Sequence, residues 1–163
     1  QPNYTFIQDL SADHMQYYGE LTEQQKQDMI LAWAVGCTSN SNTISIVKNG
    51  QLIGNGVGQQ DRVGTGQLAI ARTTIEMPEI VSNSNSLQLV VSLDKEKLEG
   101  AVAYSDSFFP FPDGPTVLAR AGVKAILTSS GSVKDDEVVA TLTEAGVSVA
   151  MVPDKAGRAF FQH

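Results

Sequence analysis

The last third of the chain limits what it can fold into most severely. Ala101 to Tyr104 is an apolar strand, Pro115 after Gly114 opens a helix that Gly122 terminates, and Val123 to Leu127 is a second strand. Ser132 caps a further helix with Asp135 in its first turn and Val138, Leu142 and Ala145 on one face; Gly146 stops it, and Val147 to Val152 is a third strand. Strand, helix, strand, helix, strand at this spacing requires right-handed crossovers and a parallel sheet, which makes the chain α/β. Both strand-to-helix loops, Ser105 to Gly114 and Ser129-Ser130-Gly131-Ser132, must then leave from the carboxyl edge of the sheet, where open α/β sheets bind ligands.

The first of these loops, Ser105-Asp106-Ser107-Phe108-Phe109-Pro110-Phe111-Pro112-Asp113-Gly114, holds three aromatic rings, two prolines and two carboxylates. A run this apolar has to be covered by the protein's own core, by another chain or by a ligand. Its prolines fix φ and remove backbone donors, so the loop is stiff before any ligand arrives and the ordering cost of binding falls. The second loop offers hydroxyls, a flexible glycine and free amides at a helix N-terminus, suited to an anion or a heteroaromatic ring edge; the alternative is an ordinary serine cap.

Upstream, residues 1–21 show no clear period and read as an irregular lead-in. Thr22-Glu23-Gln24-Gln25 fits a capping box opening a helix to about Val35, with Met29, Ile30, Trp33 and Ala34 at helical spacing and Gly36 at its end. Thr43 to Lys48 and Gln51 to Gly54 flank Asn49-Gly50, a strong hairpin signal because both turn residues tolerate positive φ. The return arm runs into Gly54-Asn55-Gly56-Val57-Gly58-Gln59-Gln60-Asp61-Arg62, whose alternating glycines allow another backbone or a ligand to approach closely. Gly66 to Arg72 reads as a helix, residues 73–100 as a polar connection with one strand, Leu87 to Leu93, and Asp94 to Glu99 as a solvated charged face.

Composition narrows the function. At 163 residues and 42% apolar content the chain can bury a core as one domain. A net charge of −7, with eleven scattered Lys and Arg, argues against a phosphate-gripping nucleic-acid surface. No window approaches eighteen apolar residues and no leader pattern opens the chain, which points away from a membrane and toward a cytoplasmic protein. Cys37 is the single cysteine, and His14 and His163 lack metal-ligand spacing, so no metal is expected. A start at Gln1 without Met reads as a fragment of a longer chain.

Four landmarks stand in one order: the helix containing Ala32-Trp33 before Ser41-Asn42, the hairpin ending in Gly56-Val57-Gly58-Gln59-Gln60-Asp61-Arg62, the Ser105 to Phe111 loop, and Ser130-Gly131-Ser132 before a tail ending in His163. In this the chain resembles the C-terminal half of aminoimidazole carboxamide ribonucleotide (AICAR) formyltransferase, part of a bifunctional purine-biosynthesis enzyme, over nearly its whole length. The resemblance implies a cytidine-deaminase-like three-layer α/β fold, a mixed sheet with a parallel βαβαβ C-terminal part, in which residues 1–163 form the second subdomain. It implies transfer of the formyl group of 10-formyltetrahydrofolate, a co-substrate, to the exocyclic amine of AICAR, without a metal, at a homodimer interface.

Carried over position by position, Asn42 and Arg62 resemble catalytic, nucleotide-side residues, Asn42 a neutral donor and acceptor and Arg62 a fixed positive charge on a carboxylate, phosphate or developing oxyanion. Phe108 would line the AICAR ring, with Arg158 and His163 also on the nucleotide side. Pro110, Phe111 and Asp113 resemble the folate wall, Phe111 packing on the pterin and Asp113 accepting from its NH groups, with Ser130 and Gly131 bordering the same pocket. Asp106 belongs with them or simply holds its turn through backbone amides.

The chain also departs from the family. Pro112 stands where many relatives have Arg, Arg158 is five residues rather than four before the final His, and no Lys-His dipeptide occurs, whereas the family's Lys-His acid/base pair lies in the N-terminal subdomain. A missing N-terminal half and a homodimer partner are the implied partners. The alternative is a non-catalytic folate- or nucleotide-binding or dimerisation module of the same fold. A deaminase-like hydrolase is disfavoured for want of zinc ligands.

Overall fold

The computed structural model describes residues 15–75, 79–83, 86–90 and 94–154. The elements, in chain order, are β1 (Gln16–Tyr18), α1 (Glu23–Gly36), β2 (Ile44–Lys48), β3 (Gln51–Gly56), α2 (Arg62–Thr74), β4 (Glu79–Asn83), β5 (Ser86–Val90), β6 (Val102–Ser105), α3 (Asp113–Arg120), β7 (Ala125–Ser130), α4 (Asp135–Glu144) and β8 (Ser148–Pro153). A 3-10 turn, Lys95–Leu98, precedes β6. The main sheet runs β1-β8-β7-β6-β2-β3, and β4 and β5 form a separate antiparallel pair.

Strands β6, β7 and β8 are parallel, as their helical crossovers require, and β2 pairs antiparallel with β6. Successive side chains on these strands face opposite ways, which divides the core into two layers. Ile44, Ala103, Ile126, Val149 and Met151 pack with Ala69 of α2, Leu118 of α3, and Val138 and Leu142 of α4. Val47, Val102, Tyr104, Leu127 and Ala150 meet Met29, Ala32 and Trp33 of α1 on the other face. The result is three layers, helix, sheet and helices, with each fully buried Leu or Ile contributing about 1.5–3 kcal/mol relative to exposure.

The capping box of α1 is present: Thr22 Oγ1 accepts from Gln25 N at 3.2 Å and Gln25 Oε1 from Thr22 N at 2.9 Å. Its buried face is Met29, Ala32, Trp33 and Gly36, the i, i+3, i+4, i+7 set, while Ala34 is exposed. In the hairpin, Asn49 and Gly50 both take positive φ, 52° and 75°. Two of the alternating glycines admit a backbone: a Cβ on Gly56 would collide with the carbonyl oxygen of Thr65 and one on Gly54 with that of Ala69, both in α2, whereas Gly58 faces open space at a positive φ of 69°.

Several expectations need correction. The lead-in is not wholly irregular, because Gln16–Tyr18 adds an antiparallel strand to the edge of β8; residues 1–14 lie outside the described residues. Helix α2 starts at Arg62 rather than Gly66, since Asp61 caps it by accepting from Gly64 N at 2.7 Å. The connection after α2 holds two strands where one was read, and Leu98 in the charged tract is buried. Pro115 is the third residue of α3, still within the first turn, where the amide it lacks would have had no intrahelical partner. Ser132 does not cap α4; its Oγ accepts from Lys134 N at 3.1 Å, and the helix begins at Asp135.

Candidate active site

The carboxyl ends of β6 and β7 place the two expected loops side by side. A Cβ added at Gly131 would lie 3.7 Å from Phe108 Cδ1 and 3.5 Å from Asp154 Cβ, so the aromatic loop and the Ser-Gly bend touch. Hydroxyls tie them below this contact: Ser107 Oγ and Ser129 Oγ both donate to Asp154 Oδ1, at 3.2 and 2.8 Å, and Thr128 Oγ1 donates to Ser107 O at 3.0 Å.

The three rings of the aromatic loop take different positions. Phe109 is core, 1% exposed, and Phe108 is half-buried against Gly131, whereas Phe111 is 58% exposed beside the exposed Pro110. Asp113 opens α3 from an exposed position, its Oδ1 accepting from Gly114 N at 2.8 Å. Pro110, Phe111 and Asp113 thus form an open apolar and acidic lip, with Ser130 half-buried and Gly131 exposed on the neighbouring loop. The Gly131 amide is not free as expected, because it donates to Asp135 Oδ2 at 2.7 Å.

Next to this lip sits a buried ion pair, Arg62 with Asp106. Arg62 Nη1 donates to Asp106 Oδ1 at 2.6 Å and to Ser105 Oγ at 3.2 Å, while Nε donates to Phe108 O at 2.9 Å. The Asp106 side chain is fully buried and that of Arg62 is 11% exposed, so the pair lies where charge interactions are poorly screened. These bonds fix the plane of the guanidinium and leave Nη2 without a bond to a described residue. Arg62 pairs with Asp106 rather than with its sequence neighbour Asp61, whose side chain caps α2.

Asn42 enters from the other side. Its Nδ2 donates to Gln59 O at 2.9 Å, and Asn42 N donates to the same oxygen at 3.3 Å, joining the loop before β2 to the one before α2. Asp106 joins in: its Oδ1 accepts from Thr43 N at 3.1 Å, and its own amide donates to Thr43 O at 3.2 Å. The structure therefore gathers Asn42, Arg62, Asp106 and Phe108 into one cluster, with Pro110, Phe111, Asp113, Ser130 and Gly131 along the rim above it. Arg158 and His163 lie outside the described residues.

Two features escaped the sequence reading. Asp154 stands at the carboxyl end of β8, the third parallel strand, a position that could have marked it. Tyr104 is buried, and no described residue bonds its hydroxyl; burial first, then the nearby Asp106 charge, raise its pKa well above the ordinary tyrosine value. A cavity of about 910 Å³ lies away from this cluster, between α2 and α3 beyond the amino edge of β7, lined by Ile70, Thr74, Leu98, Val117 and Lys124. Among the described residues no group of three or more His, Cys, Asp or Glu could hold a metal, and no helix is long and apolar enough to cross a membrane.

Comparison with known proteins points the same way as the residues. Over 156 residues, 94% of the chain, it is 35% identical to the bifunctional purine biosynthesis protein PurH of Roseobacter denitrificans, of which the match spans 27%. It is 40% identical over 122 residues to the protein of the same name from Mycobacterium ulcerans, covering 75% of this chain and 19% of that one. The chain thus spans about a quarter of the length of such relatives. Among solved structures, Acinetobacter baumannii RibD, form 2, superposes with a TM-score of 0.50 at 19% identity, covering 84% of this chain and 39% of that one. A cyanophage S-TIM5 dCMP deaminase in apo form gives a TM-score of 0.43 at 19% identity, covering 80% of this chain and 98% of that one. The fold is the α/β one that the sequence resemblance implied, a mixed six-stranded sheet with a parallel βαβαβ part. Residues 7–72 match the family described as AICARFT/IMPCHase bienzyme. With that match and the identity to PurH proteins along nearly its whole length, the chain belongs to the AICARFT/IMPCHase bienzyme family.

Proposed function

We propose that this chain is the C-terminal subdomain of the formyltransferase part of a bifunctional purine-biosynthesis enzyme. It helps move the formyl group of 10-formyltetrahydrofolate to the exocyclic amine of AICAR. The observation that carries this reading is the stacking of two unlike subsites at one rim: an open aromatic and acidic lip, Phe111 with Asp113, above a fixed guanidinium, Arg62, beside Asn42. A flat pteridine suits the lip, where Phe111 offers a ring face and the free oxygen of Asp113 an acceptor. A carboxamide ribonucleotide suits the deeper cluster, where Arg62 and Asn42 present donors.

In the transfer, the amine nitrogen of AICAR attacks the formyl carbon, an oxyanion develops, and the N10–formyl bond breaks as the tetrahydrofolate nitrogen takes a proton. Arg62, held in place before substrate arrives, stabilises that developing charge without reorganising. Asn42 orients the amine or the adjacent carboxamide. Proton transfer to and from such nitrogens is typically worth about 10²–10⁴ in rate, and the sequence contains no Lys-His pair to supply it. That function falls to another segment of the longer polypeptide or to a homodimer partner, which brings its own groups to the rim.

The family description covers two activities, formyl transfer and IMP ring closure, and the test separates them. Arg62→Gln and Phe111→Ala are introduced into the full polypeptide that carries this segment, and both reactions are followed. Loss of formyl transfer with ring closure intact supports the proposal. Loss of ring closure alone would assign the segment to the cyclohydrolase, and loss of neither would leave a binding or dimerisation module.

A further inference from the structure

We propose that Asp106 is a positioning residue that sets Arg62 and Asn42 at one fixed spacing, through a single carboxylate oxygen. The proposal rests on the formyltransferase reading for its reaction, while its geometry stands apart from it. Asp106 Oδ1 accepts from Arg62 Nη1 at 2.6 Å and from Thr43 N at 3.1 Å, and Asp106 N donates back to Thr43 O at 3.2 Å. Thr43 follows Asn42, whose side chain and amide both donate to Gln59 O, and Gln59 lies three residues before Arg62. The bonds close a ring: Asp106 to Thr43, Asn42 to Gln59, along the chain to Arg62 and back to Asp106. Three segments far apart in sequence meet at that oxygen.

A turn-holding role accounts for only part of this. Holding the turn needs the two bonds to Thr43: the one donated by the Asp106 amide is independent of the side chain, and the one from Thr43 N could be accepted equally by a neutral asparagine oxygen. A buried carboxylate is costly unless a charge is paired with it, and such pairs seldom add net stability. What the charge supplies is direction. It holds the guanidinium by Nη1, while Phe108 O holds Nε, and so leaves Nη2 as the nitrogen without a bond to a described residue. The other carboxylate oxygen, Oδ2, is buried and bonds no described residue, so the charge serves this one cluster.

Asp106→Asn preserves shape and one acceptor while removing the charge, and Asp106→Glu restores the charge on a longer stem. In the full polypeptide, Asp106→Asn should raise KM for the carboxamide nucleotide and lower kcat together by roughly ten- to a hundredfold, the cost of about 1 Å of misplacement. KM for the folate donor should stay within about twofold, and Asp106→Glu should recover part of the loss. A merely structural role would instead lower the active fraction with both KM values unchanged, and that result would overturn the proposal. The Arg62 Nε–H NMR cross-peak, protected in the wild type by its bond to Phe108 O, should exchange fast in Asp106→Asn. This readout does not depend on the reaction. Should the wild type transfer no formyl group, the formyltransferase reading fails while the cross-peak still decides the positioning; a protected cross-peak in Asp106→Asn sinks it.

Discussion

Phe108 and Gly131 come from different loops yet pack against each other, with a Gly131 Cβ position 3.7 Å from Phe108 Cδ1. This contact makes the two carboxyl-edge loops one surface. A methyl group would fit at that distance, so the glycine is required by its backbone, whose φ is +133°. An L side chain rarely adopts that conformation, and Gly131→Ala should lose about 1–3 kcal/mol. Urea unfolding at constant m-value measures the change, and an alanine variant as stable as the wild type would show that the bend relaxes freely.

The hairpin turn is fastened by a buried acid. Asp28, 3% exposed in α1, accepts from Asn49 N at 2.9 Å through Oδ2 and from Gly50 N at 2.8 Å through Oδ1, which also accepts from Gln24 Nε2 at 2.9 Å. Removing a charged acceptor from two turn amides should destabilise Asp28→Ala by about 2–3 kcal/mol, with Asp28→Asn in between. Thermal melts of the two variants test the order; equal melting temperatures would mean that water replaces the carboxylate at no cost.

Gly56 marks where α2 lies on the sheet. Its added Cβ would collide with the carbonyl oxygen of Thr65 and reach Ala69 N at 3.1 Å, both backbone atoms that cannot swing aside. Gly56→Ala should therefore cost at least about 1–3 kcal/mol, the usual range for overpacking. Because α2 begins at Arg62, the same substitution should also weaken nucleotide binding, which calorimetry can read.

Tyr104 predicts an alkaline limit. Burial and the neighbouring Asp106 charge raise its folded-state pKa, so its contribution is fully present below the unfolded tyrosine value of about 10. Above that pH the unfolded chain loses the proton more readily than the folded one, and stability falls by up to about 1.4 kcal/mol per pH unit. Tyr104→Phe removes this slope. Unfolding curves from pH 8 to 11 should diverge between the two proteins only above about pH 10; parallel curves would contradict the burial of the phenol.

The sequence disclosed much of this fold for identifiable reasons. Asn49-Gly50 and Thr22 with Gln25 encode their turn and cap locally, and the βαβαβ order follows from glycine and proline punctuation around apolar runs. The start of α2 was hidden because Gly64 looks like a breaker, while the cap that overrides it is Asp61, whose carboxylate accepts from the amide of that same glycine. The single-strand reading of residues 73–100 failed because β4, Glu-Ile-Val-Ser-Asn, is short and half polar. At the site, the resemblance named Arg62 and Asn42, but the carboxylate joining them comes from more than forty positions away, a separation that local sequence cannot express. Asp154 could have been marked by its place after β8, but its serine partners could not, because they lie at the ends of β6 and β7 that the parallel sheet brings to it.

The most direct test of the whole account is to map where a folate analogue binds, by NMR shift perturbation on ¹⁵N-labelled protein. The account predicts that the amides of Phe111, Asp113 and Gly131 shift together on titration, that Phe111→Ala weakens binding about tenfold or more, the loss of a well-placed stacking face, and that Ile70 and Val117 in the helical groove stay still. Shifts confined to that groove, or binding indifferent to Phe111, would contradict it.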